Sequence, residues 1–388
     1  MKSAVVSGAL ANKPLNGGEA WVRLTWVLAL KRLGLDVTFV EEISPAACVD
    51  PRGELCGFEA SVNRGFFEQV VTQFGIAGDA CLVDQTTKQT SGLSYDDVLA
   101  RARDADLLFN LSGHMQDRRL LDAPRRRVYV DLDPGFTQLW AAQGVADLGL
   151  DRHEVHLTVG ERIGEPGCPI PTLGYDWVAI RPPVLLSEWL PRRGGRGVIR
   201  FTTVATWRAT HGPMEHAGMR LDLKLHQFRK FIDLPKRCDG IFEVALAIDP
   251  ADERDLDRLL ATGWRVVDPA RVASDPLGYR EYVQSSDAEF SVAQGMYVTA
   301  STGWFSDRTA AYLASGKPAL VQDTGFDREL VDGAGVVRFT TLEQAIGGVH
   351  EIAAAYDEHS TGARAVAEQR LDSQAVLGRV VEVASSRS

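Results

Sequence analysis

This sequence has few cysteines, a negative net charge and no long apolar run. Five scattered cysteines without a CxxC pair among 388 residues do not predict a disulfide framework or a cysteine-based zinc site. The net charge of −10 argues against a nucleic-acid partner, and the lack of an apolar run long enough to cross a bilayer argues against stable membrane association. Because the first residues form a strand pattern rather than a signal peptide, we expect a cytoplasmic protein. We also expect the protein to be a monomer or a homodimer.

The glycine fingerprint of dinucleotide-binding proteins is also missing. Between a first strand (Ser3–Ser7) and a helix starting near Glu19, the glycines are Gly8 and the pair Gly17-Gly18, which do not make GxGxxG. A nicotinamide-dependent oxidoreductase is therefore weakly supported. The pair still permits a ligand to approach the backbone closely, so we predict that Gly17 and Gly18 contact a nucleoside or sugar. A plain tight turn is the alternative.

Strand and helix patterns alternate along the whole chain. This alternation predicts an α/β protein whose parallel sheets are covered by helices on both faces. The length exceeds one compact core, and the proline-, arginine- and glycine-rich stretch 181–197 is typical of a linker. We predict a first domain over residues 1–190, a second over 191–372, and a last helix over 373–388 that can cross back to the first domain.

The segment Ser301–Gly325 carries the strongest functional signal. Ser306 and Asp307 are good N-caps for a helix over about 308–315, and a helix N-terminus offers N–H groups that bind phosphate. Arg308 in the first turn opposes the helix dipole, which a nearby anion would explain. Ser306, Asp307 and Arg308 are therefore candidate phosphate ligands, and an ordinary capped helix is the alternative.

Ala311–Val321 has the order helix, Gly-x-Pro, strand, and Leu15–Glu19 with Lys31–Val40 belongs to a βαβ unit. These motifs, and the order of elements over nearly the whole chain, resemble GT-B glycosyltransferases, in particular bacterial proteins like those of glycosyltransferase families 1 and 4. The resemblance implies two doubly wound Rossmann-like domains facing a central cleft. It also implies transfer of a sugar from a nucleoside diphosphate, of the UDP or TDP type, without metal or cofactor. A small-molecule acceptor is expected.

The resemblance gives roles to further residues in the second half. Arg208 and Lys224 would join the helix tip around the leaving diphosphate, where preorganised cations lower the barrier. The chain departs from the retaining branch that resembles glycogen synthase, because Gly303 and Ala311 stand where that branch has two glutamates. A carboxylate for the ribose must then come from elsewhere, with Glu289 the nearest candidate. Five residues are predicted to contact the sugar or base: Trp304, Phe305, Asp323, Thr324 and Gly325.

The candidate bases come from the first half. His114 follows a buried strand at the sheet edge where α/β proteins bind ligands, and an inverting transfer needs a base near neutral pKa. Asp133, with Asp131, is the second candidate or the group that orients His114. The Asp-x-Asp spacing also mimics the metal site of the GT-A architecture, which the order of elements disfavours.

Two further functions fit parts of the sequence. A nucleotide-sugar 2-epimerase shares the fold but requires several carboxylates and a histidine in the cleft in that family's pattern, which this sequence does not show. A non-catalytic nucleotide-binding protein is conceivable because the glutamate pair is missing.

Overall fold

The computed structural model describes residues 1–195, 197–208, 213–327, 330 and 333–386. Arg196, in the predicted linker, and residues 387–388, in the predicted last helix, lie outside this range. The strands are β1 (Ser3–Ser7), β2 (Asp36–Ile43), β3 (Ala80–Asp84), β4 (Thr90–Gly92), β5 (Leu107–Leu111), β6 (Arg126–Asp131), β7 (Val155–Thr158), β8 (Trp177–Ala179), β9 (Arg200–Thr206), β10 (Met214–His216), β11 (Met219–Leu221), β12 (Ile241–Ala247), β13 (Arg265–Val267), β14 (Ala288–Ser291), β15 (Ala319–Gln322) and β16 (Val336–Phe339).

The helices connect most of these strands. They are α1 (Gly17–Arg32), α2 (Val62–Gln73), α3 (Tyr95–Asp104), α4 (Arg118–Leu121), α5 (Phe136–Ala142), α6 (Lys224–Phe228), α7 (Leu234–Arg237), α8 (Glu253–Thr262), α9 (Pro269–Val272), α10 (Pro276–Ser285), α11 (Gly295–Thr299), α12 (Asp307–Ala314), α13 (Leu342–Ala354), α14 (Tyr356–Val366) and α15 (Ser373–Ser386). No helix in the described ranges is long and apolar enough to cross a membrane.

The strands form two large sheets, one in each half of the chain. The first has eight strands in the order β4-β3-β2-β1-β5-β6-β7-β8, and all neighbours are parallel except β3 and β4. The second has six parallel strands in the order β13-β12-β9-β14-β15-β16. In each sheet the order reverses beside its first strand, β1 or β9, and ligands bind at such switch points. The prediction of two doubly wound sheets is confirmed.

Helix α15 crosses from the second half to the first. The chain between the halves pairs with the start of α15, since the N–H of Val184 donates to Leu371 and Val184 accepts from Ser373. The guanidinium of Arg126 at the start of β6 then donates to the carbonyl of Ala384 near the end of α15, at 2.5 Å. The domain boundaries themselves stay a prediction.

One stretch differs from the sequence-based expectation. The sequence pattern of residues 221–231 predicts one helix that carries Lys224, but β10 and β11 form an antiparallel hairpin that ends at Leu221. Helix α6 starts only at Lys224, where the backbone N–H donates to the side chain of Gln294 at 2.8 Å. The hairpin packs Met214 and Leu221 with apolar residues of the first half, so tertiary contacts override the local helical pattern.

Candidate active site

The carboxyl ends of the two sheets face each other, and charged side chains from both halves meet there. The first half contributes the loops after β1, β5 and β6 and the start of α1, and the second contributes β14 and the starts of α6, α11 and α12. We call this group the cleft cluster; it comprises Lys13, Glu19, Arg23, His114, Asp133, Lys224, Glu289, Tyr297, Asp307 and Arg308.

Lys224 is a partly buried cation without a counter-ion. Its ammonium makes no hydrogen bond or ion pair with any residue that the structure describes. Burial lowers the pKa of Lys224 to about 7 and the charge of Arg308 acts in the same direction, while Asp307 and Glu289 oppose both. A cation left unpaired in a cleft is stabilised by an anionic ligand. The diphosphate role of Lys224 stays a prediction.

The start of α12 is built around Arg308. Ser306 caps the helix by accepting from the N–H of Arg308 at 3.2 Å. The guanidinium of Arg308 bonds to Glu289 at 2.6 Å, and also to the carbonyl of Val204 and the hydroxyl of Ser291, both at 2.8 Å. Glu289 is fully buried and its second oxygen has no partner in the described ranges. Glu289 thus holds Arg308, and its contact with a ribose stays a prediction.

Glu19 and Arg23 extend the cluster along α1. They form an ion pair one helical turn apart, and Arg23 is only 7% exposed with its Nε unpartnered among the described residues. Burial alone would raise the pKa of Glu19, but Arg23 and Lys13 lower it below its usual value. Burial and repulsion from Glu19 raise the pKa of Asp307. The tip of α1 therefore faces the tip of α12 across the cleft.

Asp133 is the carboxylate most suited to proton transfer. It opens onto the cleft beyond β6 and accepts a hydrogen bond from Tyr297 of the other half at 3.2 Å. Desolvation by the surrounding protein raises the pKa of Asp133 to about 6, and repulsion from Asp131 and Glu19 adds to this, while Lys13 and Tyr297 oppose it. A base with a pKa near the working pH is the efficient one.

His114 has the weaker claim to be the base. Its Nε2 lies 3.1 Å from the amide nitrogen of Asn12 and 3.8 Å from Glu41. Desolvation lowers the pKa of His114 to about 4, and the charges of Arg23 and Lys13 act in the same direction. The imidazole is therefore neutral but a poor proton acceptor. Among the described residues Asp133 makes no hydrogen bond to the imidazole, and Asp131 instead accepts from the hydroxyl of Thr137 at 2.6 Å in the turn after β6.

The two aromatic residues predicted to contact the ligand, Trp304 and Phe305, lie in different surroundings. Trp304 is partly exposed and stacks on Tyr297, with ring centroids 4.6 Å apart, so it lies beside Asp133. Phe305 is 3% exposed and packs edge-on against Phe326, 5.2 Å away. Its prediction as a sugar or base contact is wrong, because its ring faces the core.

The glycine pair serves the contact between halves. The N–H of Gly17 donates to the carbonyl of Ala273 at 2.8 Å, and a Cβ at Gly17 would lie 2.1 Å from the carbonyl oxygen of Asp275. A Cβ at Gly18 would lie 3.1 Å from the ring of Tyr279. The close backbone approach predicted for a ligand is therefore made by protein atoms of the second half.

The loop after β15 lies apart from the cleft cluster. Asp323 accepts from the N–H of Gly325 at 2.9 Å, and the buried hydroxyl of Thr324 donates to the carbonyl of Trp304. Asp323 and Gly325 line a cavity of about 1030 Å³ against β8 and α15, which shares no residue with the cluster. Their predicted contact with sugar hydroxyls stays untested.

Arg208 is bound on the surface. Its guanidinium forms two hydrogen bonds with Asp252, at 2.6 and 2.7 Å, and is largely exposed. The chain that follows it, residues 209–212, lies outside the described residues. Its assignment to the diphosphate stays a prediction with no contact that supports it. Within the described ranges no group of three His, Cys, Asp or Glu residues could hold a metal ion.

Four members of the cluster were missed by the sequence analysis: Lys13, Glu19, Arg23 and Tyr297. Glu19 and Arg23 could have been found, because they lie four residues apart at the start of the helix after β1. Tyr297 gives no such signal, since its role depends on a residue 164 positions away.

Comparison with known proteins gives structural matches alone. No protein-family model matches this sequence, and no curated protein matches it. An alpha-glucosyltransferase solved with UDP and a 13-mer DNA containing an HMU base is similar over 99% of both chains, with 12% identity and a TM-score of 0.60. Anabaena HepE in complex with UDP and glucose is similar over the whole of both chains, with 11% identity and a TM-score of 0.59. AviGT4, a glycosyltransferase involved in avilamycin A biosynthesis, has 11% identity and a TM-score of 0.56 over 100% of this chain and 98% of its own.

These structures also correct one expectation. The alpha-glucosyltransferase has been solved with UDP-glucose and DNA containing an abasic site, at 13% identity and a TM-score of 0.59. The sequence-based exclusion of a nucleic-acid partner was therefore wrong: net charge describes the whole surface, whereas binding depends on the local cleft. The chain has the GT-B fold of these glycosyltransferases.

Proposed function

We propose that this protein is a glycosyltransferase that moves a sugar from a nucleoside diphosphate of the UDP type to a hydroxyl of an acceptor bound in the cleft. Lys224 carries the proposal, because this cation, which forms no ion pair with a described residue, lies beside the tip of α12 at the sheet edge where this fold binds ligands. Two proteins of the same fold have been solved in complex with UDP, and this supports UDP as the nucleotide of the donor.

The reaction uses groups already described. The acceptor oxygen attacks the anomeric carbon of the sugar, the bond from that carbon to the diphosphate oxygen breaks, and its electron pair leaves with the nucleoside diphosphate. Asp133 takes the proton of the acceptor hydroxyl and later releases it to water. Lys224 and the N–H groups at the start of α12 stabilise the charge on the leaving diphosphate. We propose that these groups, rather than a metal ion, supply that stabilisation.

The donor site is tested by calorimetry with UDP. Lys224→Met removes the charge and keeps the length of the side chain, and Lys230→Met does the same to an exposed neighbour that bonds to Gln227. We expect the first change to weaken UDP binding about 10- to 100-fold, the size of a lost hydrogen bond to a charged group, and the second to leave it unchanged. Equal affinity in both variants, or binding of NAD in place of UDP, would refute the proposal.

Turnover then separates an enzyme from a binding protein. Release of UDP from UDP-glucose is measured with acceptors of different classes, among them DNA with an HMU base and free sugars, because proteins of this fold have been solved with DNA and with glucose. UDP release that rises with one acceptor supports transfer. UDP binding without release under any condition would leave the non-catalytic alternative.

A further inference from the structure

One hydrogen bond in the cleft joins a candidate base to the opposite half of the molecule. Asp133 follows β6 in the first half, and Tyr297 lies on α11 in the second; the tyrosine hydroxyl donates to Asp133 at 3.2 Å. The bond can therefore form only when the two sheets face each other at this separation.

The tyrosine side of this bond is firmly held. The ring of Tyr297 is 4% exposed, stacks on Trp304 at an interplanar angle of 26° and meets the edge of Phe136 with centroids 5.9 Å apart. Trp304 also forms a β-bridge with Gly160 of the first half. The position of the hydroxyl is thus fixed by the contact between halves.

The aspartate side is held by its own turn. The N–H of Asp133 donates to Asp131 at 3.0 Å, and the buried carboxylate of Asp131 also accepts from Thr137, Gln138 and Thr158. Because this network fixes the backbone of the turn, what remains to be set is the orientation of the Asp133 carboxylate, and Tyr297 bonds to it directly.

We propose that Tyr297 is a positioning residue that orients Asp133 for proton transfer only when the two halves are closed. This inference rests on the proposed function, since it requires Asp133 to accept the proton of the acceptor. The hydrogen bond from Tyr297 couples closure of the cleft to the orientation of the Asp133 carboxylate. In an open cleft Asp133 is therefore not oriented for proton transfer beside a bound donor sugar.

The groups around Asp133 determine the direction in which its pKa should change when the tyrosine hydroxyl is removed. Asp131 and Glu19 raise the pKa of Asp133, whereas Lys13 and Tyr297 lower it. Losing the tyrosine hydroxyl must therefore raise that pKa above about 6. The unprotonated base then appears only at higher pH, so activity is lost at the acid side and is nearly unchanged at the alkaline side.

The test compares Tyr297→Phe with Tyr279→Phe. Tyr279 also packs between the halves, but its hydroxyl has no hydrogen bond among the described residues. We expect the acid limb of the pH profile of kcat/KM to move up by about one pH unit in Tyr297→Phe alone. The Kd for UDP and the melting temperature should stay at the wild-type values.

A double variant distinguishes positioning from a general structural effect. In an Asp133→Asn background the further change Tyr297→Phe should cost no additional activity. An unmoved acid limb, or losses that multiply in the double variant, would overturn the inference while UDP binding and wild-type turnover still supported the proposed function. A wild type without turnover would instead remove the proposed function, and this inference with it.

Discussion

At the scale of single residues, Lys224 and Asp133 show how burial prepares charged groups for chemistry. The pKa of each lies near neutrality, because burial lowers that of Lys224 to about 7 and desolvation raises that of Asp133 to about 6. Their neighbours behave differently: Arg308 is neutralised by Glu289, and His114 is held uncharged. Both groups can therefore respond to a ligand that enters the cleft.

Binding of UDP should draw a proton onto Lys224. Above pH 7 much of the free protein carries neutral lysine, and a diphosphate beside it raises the pKa, so binding is accompanied by proton uptake. Calorimetry at about pH 8 in buffers of different ionisation enthalpy should show this uptake, and affinity should fall as the pH rises through 7. Lys224→Met accounts for any proton exchanged by UDP itself, and an unchanged proton count in that variant would contradict the assignment.

At the scale of elements, the start of α12 both stabilises the fold and, in the proposed function, binds the diphosphate. Ser306 is buried and caps the helix whose first turn faces the cleft. Thr341 caps α13, accepting from the N–H of Gln344 at 3.2 Å, and belongs to no part of the cleft cluster.

Removing either cap should cost about 1 kcal/mol of unfolding free energy. Ser306→Ala should in addition weaken UDP binding, because the N–H groups of the first turn lose their fixed direction, whereas Thr341→Ala should not. Urea unfolding and calorimetry measure the two effects. Parallel losses of UDP affinity in both variants would mean that α12 contributes stability alone.

At the scale of the whole molecule, the halves are in contact at the tips of α1 and α10. Gly17 bonds to Ala273, and the indole of Trp21 donates to the carbonyl of Pro276 at 2.7 Å. These bonds hold the halves at the distance at which the cleft cluster assembles.

Gly17→Ala should therefore disturb the relation between the halves. Its Cβ would lie 2.1 Å from the backbone oxygen of Asp275, so the halves must shift, at a cost of about 1–3 kcal/mol. Gly65→Ala, in α2, meets no atom within 4 Å and should be neutral or stabilising. We expect lower turnover and a larger radius of gyration by X-ray scattering for the first variant alone. Wild-type dimensions and turnover in Gly17→Ala would show that the contact is unimportant.

The sequence determined the architecture because periodicity and caps are local. Alternating strand and helix patterns were enough to predict two doubly wound sheets, and the Ser306 cap was predicted to start a helix within one residue of its observed start. Lys224 could be named as a candidate because it lies on the helix predicted after the first strand of the second half. The hairpin β10–β11 could not be foreseen, since it is stabilised by residues of the other half.

The tertiary structure alone decided which candidates share a site. Phe305 lies in the core, whereas its neighbour Trp304 lies at the cleft. Glu289 is the partner of Arg308, and Gly17 contacts the second half. The physical reason is that pairing of charges and exposure of rings depend on residues far apart in the chain. Local sequence specifies which groups stand at the sheet edges, and the approach of the two halves determines which of them remain free to act.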